Sequence, residues 1–303
     1  METILITGAS GLIGRHLTVL LKERGYRVIH LSRFPSKKNV AETFVWDIDK
    51  QTIDEQAVKE ADYIVHLAGA GITHHRWTTA QKKEIINSRV ESIQLLFNTI
   101  QKTNKSLKGF ISASGVGIYG GWTKQKIYME NDPPASDFLG KVCKKWEDAS
   151  ESISQLGIRV VKLRTGIVLT DKGGALKKIA MPIKFFIGAP LGNGKQYIPW
   201  IHIDDICAMY IKAIEDNRMQ GAYNAVAPEH ITNTGLTKMI AHTLHRPLIA
   251  PHLPAFIIKW LLGKMAVIVL EGSRVSCKKI QDTGFQFKFP TVKTALKELF
   301  QSR

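Results

Sequence analysis

The chain opens with a β-branched apolar run, Thr3-Ile-Leu-Ile-Thr7, that leads straight into Gly8-x-x-Gly11-x-x-Gly14 and then a helical pattern. Leu12 to Arg24 carries apolar residues at Leu12, Ile13, Leu17, Leu20 and Leu21 and is closed by Gly25, after which Tyr26 to Leu31 reads as a second strand. The three glycines have separate tasks. Gly8 permits the tight strand-to-helix turn, Gly11 lets backbone approach a phosphate with no Cβ in the way, and Gly14 lets helix and strand pack closely. The N–H groups that open this helix, over Ser10, Gly11, Leu12, Ile13 and Gly14, have no partners within it, so the turn predicts a seat for a dinucleotide pyrophosphate.

Strands and helices keep alternating. Strands are expected at Thr43 to Ile48, Tyr63 to Ala68, Gly109 to Ser114 and Arg159 to Leu163, with helices at Ile53 to Lys59, Thr79 to Lys102 and Asp137 to Gln155. The fold class is therefore α/β, a doubly wound Rossmann-like parallel sheet over residues 1–165. A smaller mixed C-terminal substrate lobe, 166–303, follows. In it a helix opens at Gly173-Gly174, Tyr197 to Ile201 is a strand, and Ile203 to Glu215 is a helix. Gly221 to Val226 is expected to return to the main sheet, and helices are expected near 234–245, 254–270 and 292–302.

Composition removes several classes of function. Cys143, Cys207 and Cys277 form no Cys-x-x-Cys pair, and His74-His75 lacks helical ligand spacing, so neither a disulfide framework nor a metal site is expected. A net charge of +16 invites nucleic acid or a membrane surface, yet the distribution argues against both, because pairs such as Lys82-Lys83, Lys144-Lys145 and Lys177-Lys178 are dispersed without interleaved aromatics. The longest apolar stretch, Pro254 to Leu270, is interrupted by Lys259 and Lys264 and falls short of a membrane span, so a buried amphipathic helix pair is expected there. With the first strand beginning at residue 2, no signal peptide is expected. These features read as a cytoplasmic protein with a small-molecule ligand or substrate and neither nucleic acid nor membrane as partner; homodimerisation through helices is compatible with the fold.

The end of the second strand selects the cofactor. An acidic residue there bonds a ribose 2′-OH, whereas an arginine accommodates a 2′-phosphate. Here the strand ends Leu31-Ser32-Arg33 with no carboxylate, which favours NADP(H) over NAD(H).

Further pieces include Trp46-Asp47, His66-Leu67-Ala68-Gly69, Ser114 followed by Tyr119-Gly120, and Trp200-Ile201-His202-Ile203-Asp204-Asp205. With these the chain resembles the extended short-chain dehydrogenase/reductase superfamily of the epimerase/dehydratase type. Arg76-Trp77-Thr78, Ser88-Arg89, Trp146-Glu147, Tyr223-Asn224 and Glu271-Gly272 sharpen the resemblance to its atypical epimerase-family subgroup, which carries a C-terminal domain of unknown function, here from about residue 248. The resemblance implies a cofactor lined by Gly8 to Gly14, Ser32, Arg33, Asp47, Leu67, Ala68 and Gly69, with Glu84 and Arg89 facing it from the long helix. It also places Asp47 near the adenine amino group.

Relatives of this type use a Tyr-x-x-x-Lys pair on one helix face for proton transfer. None of the seven tyrosines here has a lysine four residues on, and Phe138 stands roughly where the tyrosine belongs. Lys141 follows three residues later, and Cys143 falls near the lysine slot. Three readings stay open. One is an NADP(H)-dependent oxidoreductase or epimerase-like enzyme whose proton comes from Tyr119, Ser114, Lys141 or His74. Another is a non-catalytic NADP(H)-binding sensor or regulator, of the kind the resemblance links to cell division. The last is a structural or nucleic-acid partner, for which net charge alone speaks. The His202, Asp204, Asp205 group reads as a helix cap, with Asp204 or Asp205 at the N-cap. Substrate walls are expected from His74, Arg76, Trp77, Tyr119 and the segment from Met181 to Trp200.

Overall fold

The computed structural model describes residues 1–34, 40–73, 75–121 and 125–301; His74 lies outside them. β1 (Thr3–Thr7) is buried along its whole length. Its alternation sends Ile4 and Ile6 to one face of the sheet and Leu5 to the other, as a central strand requires. The N-terminal half continues through α1 (Leu12–Glu23), β2 (Arg27–Ser32), β3 (Glu42–Asp47), β4 (Thr52–Ile53), α2 (Glu55–Glu60) and β5 (Tyr63–His66). After these come α3 (Thr79–Thr103), β6 (Gly109–Gly115), β7 (Ile127–Tyr128), α4 (Phe138–Ser152) and β8 (Val160–Thr165). Caps explain the long helices. The Thr78 hydroxyl accepts the Gln81 N–H to start α3, Asn104 ends it in the left-handed region, and Asp137 accepts the Gly140 N–H to start α4.

The C-terminal half comprises β9 (Ile167–Leu169), α5 (Gly174–Lys184), β10 (Tyr197–Ile198), β11 (Trp200–His202), α6 (Ile203–Glu215), β12 (Gly221–Ala225) and β13 (Ile231–Thr232). It ends with α7 (Asn233–Thr243), α8 (Ala255–Leu262), α9 (Val267–Leu270), β14 (Arg274–Val275), α10 (Lys278–Gln281) and α11 (Val292–Gln301).

Eight strands form the main sheet in the order β12-β8-β6-β5-β1-β2-β3-β4. All its pairings are parallel except β3 with β4. From β1 the chain winds outward through β2 and β3, then crosses back to β5 and winds the other way through β6, β8 and β12. The reversal leaves a crevice beyond the C-terminal ends of β1 and β5, where ligands of open α/β sheets bind. Leu17 and Leu21 of α1 and Ile206 and Tyr210 of α6 cover one face. Val58 of α2, Ile93 and Leu96 of α3, and Trp146 of α4 cover the other. β12 pairs in register with β8, so the segment at 221–225 does return to the sheet as expected.

One expected element is split. Tyr197 to Ile201 was expected as one strand, but Pro199 has no N–H to extend a ladder, so β10 pairs antiparallel with β13 while β11 pairs parallel with β9. The helix pair expected over 254–270 is present as α8 and α9, separated by a tight turn at Gly263, whose φ of 56° lies in the left-handed region; the expected burial is not met, because Phe256 and Trp260 of α8 are exposed. Among the described residues no helix is long and apolar enough to cross a membrane, and no cluster of metal-ligating side chains forms.

Candidate dinucleotide and ligand site

The glycine turn sits at the mouth of the crevice. Gly8 has a φ of 67°, and a Cβ there would fall 2.7 Å from the Leu67 carbonyl carbon; a Cβ on Gly14 would fall 2.6 Å from the Ala9 Cα. Both glycines are required by chain packing. Gly11 differs, because its Cβ would meet only the Gly8 carbonyl oxygen at 3.3 Å and otherwise open space. It is the N-cap of α1, with no capping side chain and no acidic residue in the first turn. The opening N–H groups of the helix therefore face outward, beside exposed Ser10 and Leu12 and half-buried Ile13, as an anion seat requires.

The opposite wall is held by a directional chain of hydrogen bonds. The Ser92 hydroxyl donates to the Arg89 carbonyl (2.9 Å), so it accepts from His66 Nε2 (3.2 Å). That fixes His66 Nδ1 as an acceptor for the Thr7 hydroxyl (2.8 Å), while Thr7 Oγ1 accepts the N–H groups of Leu67 and Ala68 (3.2 Å each). Burial holds the His66 ring neutral by pushing its pKa down to about 3. Next along the loop, a Cβ on Gly69 would lie 3.0 Å from Arg89 Cζ, and the Ala70 N–H donates to Ser88 Oγ. Arg89 is buried, donates to the Ile85 carbonyl and stacks over Trp146 at 4.7 Å, yet its Nε has no partner among the described residues. A buried guanidinium with an orphaned N–H beside this loop fits a phosphate-bearing ligand. Glu84 is exposed, whereas Arg89 is buried.

At the end of β2, the Ser32 hydroxyl closes a turn with Phe34, and Arg33 is exposed with its guanidinium 6.0 Å from the Phe34 ring. Asp47 ends β3, where one carboxylate oxygen accepts the N–H groups of Asp49 and Lys50 (3.0 Å each). Those bonds, the Lys50 N–H foremost, hold its carboxyl below the usual range.

The expected proton donors are placed differently. Tyr119 is 1% exposed; its hydroxyl donates to Asn224 Oδ1 (2.6 Å) and accepts from an Arg164 nitrogen (2.8 Å). Arg164 also grips Glu147 through two bonds (2.8 and 2.9 Å), and Ser114 donates to that same carboxylate (2.7 Å). Glu130 completes the group by accepting the Asn224 N–H and giving its carbonyl to Arg164. Burial raises the Tyr119 phenol to about 12. Both hydroxyls are thus spent inside a buried network, which corrects the expectation that either faces a substrate. Lys141 lies on the exposed side of α4, away from that network. Phe138 packs edge-on against Trp77 at 4.7 Å, and Cys143 is buried beside Gly115 and Gly117 with its thiol pushed up to about 12. The cap of α6 is His202, whose Nδ1 accepts the Asp204 N–H, so neither aspartate is the cap; Asp204 pairs with His16 and Lys288 instead.

With this geometry in place, the model of the NAD dependent epimerase/dehydratase family matches residues 4–226, and that of a domain of unknown function (DUF1731) matches 253–299. The chain belongs to the NAD dependent epimerase/dehydratase family. Epimerase family protein YfhF of Bacillus subtilis is 34% identical over 303 residues, covering 99% of this chain and 98% of its own. The crystal structure of human epimerase family protein SDR39U1 (isoform 2) with NADPH superposes with a TM-score of 0.88 at 32% identity, covering all of both chains. A nucleoside-diphosphate sugar epimerase from Corynebacterium glutamicum is similar at 29% identity and a TM-score of 0.81, over all of this chain and 59% of that one.

In this epimerase-family chain the C-terminal segment covers the sheet's carboxyl end. Met265, Val267 and Ile268 pack with Trp77, Phe138 and Leu139, and Val267 and Glu271 abut Gly121. Beside them lies a cleft of about 630 Å³, lined by Gly192, Asn193, Lys259, Lys264, Leu270 and Glu271 among others. Of the expected walls among the described residues, the 181–200 segment contributes through Gly192 and Asn193, whereas Trp77 and Tyr119 are buried and Arg76 donates to the Leu261 carbonyl; His74 lies outside the described residues. The residues the sequence reading missed, Glu130, Arg164 and the cleft wall at Lys259 and Lys264, follow no fixed spacing. Glu147, Asn224 and Glu271 were visible only as pieces of the resemblance.

Proposed function

We propose that the chain binds NADP(H), in preference to NAD(H), across the crevice at Gly8 to Gly14, and holds a small polar or anionic ligand in the cleft beside it. The observation that carries the reading is the end of β2, where Ser32 and an exposed Arg33 stand with no carboxylate, facing the same crevice as the open N-terminus of α1. Human SDR39U1, solved with NADPH, supports the same choice. The N–H groups of Leu12 and Ile13 would receive the pyrophosphate, with Gly11, whose own N–H is held by the Gly8 carbonyl, leaving room for its approach; Arg33 would take the 2′-phosphate, and Arg89 would balance charge beneath Gly69. A bound nicotinamide supplies hydride exchange. Lys259 and Lys264 draw a carboxylate or phosphate into the cleft, and Asn193 adds an amide.

Proton transfer then needs a group other than Tyr119. Glu271 is the carboxylate lining the cleft among the described residues, and burial raises its carboxyl above the usual range. We assign it the acid/base role in an oxidoreductase or epimerase-like reaction. The locked Tyr119 and Ser114 hydroxyls favour a second reading, an NADP(H) sensor without turnover. NADPH oxidation across a broad carbonyl panel separates the two. Turnover lost in Glu271→Gln with NADPH affinity unchanged supports the assignment, and turnover untouched by that change refutes it. NADPH bound tightly but oxidised by no carbonyl moves the conclusion to the sensor.

A further inference from the structure

Two stretches of the C-terminal half contain no aspartate or glutamate at all, 172–203 and 230–270, yet they hold nine lysines and arginines. The same stretches expose large apolar side chains that a folded chain ordinarily hides. Phe185, Phe186 and Ile187 project after α5, and Phe256, Trp260 and Leu261 project from α8, with Phe256 72% and Trp260 78% exposed. The two groups belong to one face. Arg246 stacks over Phe186 at 4.9 Å, and Leu253 exchanges backbone hydrogen bonds with Pro190 and Gly192 (2.9 and 2.8 Å), three residues before Phe256. Phe186 adopts a φ of 64°, a left-handed conformation that a bulky aromatic avoids, and this strained backbone displays its ring outward. Lys184, Arg246, Lys259 and Lys264 are exposed around these rings.

We propose that this face docks on the surface of an anionic lipid bilayer. Aromatic and aliphatic side chains flanked by lysine and arginine, with Glu271 set back in the cleft behind Lys259 and Lys264, match an interfacial anchor: the rings enter the headgroup boundary and the cations meet lipid phosphates. A second copy of the chain is a poor occupant, because it would bring the same uncompensated positive charge. The proposal departs from the expectation of no membrane partner, which rested on lysines dispersed along the sequence and on the absence of a spanning segment; docking needs no span, and the fold brings Arg246 onto Phe186, 60 residues away in sequence. It stands apart from the cofactor assignment, although α8 puts Lys259 in the cleft wall and Trp260 on the docking face.

The test is flotation of the full chain with phosphatidylcholine vesicles, with and without phosphatidylglycerol. Binding is expected only to the anionic vesicles, to weaken at high salt, and to fall more than about tenfold in Phe256→Ser/Trp260→Ser and, independently, in Phe185→Ser/Ile187→Ser. NADPH affinity reports that both variants remain folded. Lys144→Ala/Lys145→Ala, which removes charge from α4, should bind as the wild type does. No flotation, or equal loss from the α4 control, overturns the proposal. So does a wild-type dimer that the serine variants dissociate, since the face would then be a contact between copies.

Discussion

Replacing Tyr119 with phenylalanine removes one oxygen and leaves the ring, which stacks on Tyr128 at 5.1 Å, in place. The lost hydroxyl is the donor to Asn224 Oδ1 and one acceptor for Arg164. Arg164 keeps Glu147 and the Glu130 carbonyl, so the deficit falls on a single buried amide oxygen. Leaving such an acceptor unsatisfied costs about 1–3 kcal/mol. For a chain of 303 residues a loss of about 2 kcal/mol lowers Tm by roughly 3 °C. NADPH affinity and the rate of NADPH oxidation should remain within about twofold, because the phenol, raised to about 12, neither faces the cleft nor ionises near neutrality. Thermal unfolding followed by circular dichroism, run beside NADPH titration and turnover, reads both effects. A general acid lost from the reaction would cost about 10²–10⁴-fold in rate. A loss of that size with Tm unchanged would refute the structural role assigned to Tyr119.

Gly11→Ala separates binding from folding: its Cβ would meet the Gly8 carbonyl oxygen at 3.3 Å, a tight contact relieved by a shift of a few tenths of an ångström, and would occupy the phosphate's approach. NADPH binding should weaken at least about tenfold with Tm near wild type, and unchanged calorimetric affinity would count against the cradle. Glu147→Gln leaves Arg164 a buried cation without its counter-charge and should cost about 3–5 kcal/mol in urea unfolding; a cost under about 1 kcal/mol would mean the pair is solvated. Burial pushes His30 down to about 4 and His66 to about 3, so each takes up a proton on unfolding once pH drops below its ordinary value near 6.5. Their contribution is full above pH 6.5 and lost as pH falls toward 4 and 3, with a slope near pH 5 of about two protons, roughly 2.7 kcal/mol per pH unit. Urea midpoints that stay flat from neutral pH down to pH 5 would contradict it.

The local features were readable because each is enforced by neighbours in sequence. Gly8 is forced by a positive φ, and Thr3 to Thr7 is β-branched except at Leu5, with an apolar centre at Ile4, Leu5 and Ile6. The features that escaped depend on partners far along the chain. β7 and β14 are two-residue strands that exist only because residues 127–128 meet 274–275. Tyr119, Glu147, Arg164 and Asn224 lie up to 105 residues apart, so their hydrogen bonds have no spacing to find. Tyr119 was open to a catalytic reading as long as Arg164 and Asn224 were not known to enclose it. Pro199 was a visible breaker, and the apolar run around it outweighed it in the reading of 197–201.

The central claim is the dinucleotide and its 2′-phosphate. Titrating the wild type and Arg33→Ala with NADPH and with NADH tests it directly. The account predicts NADPH bound at least about tenfold tighter by the wild type, that advantage lost in Arg33→Ala as a charge-assisted contact of about 1.5–3 kcal/mol disappears, and NADH affinity unmoved. Equal affinities for the two dinucleotides, with Arg33→Ala changing neither, would contradict it.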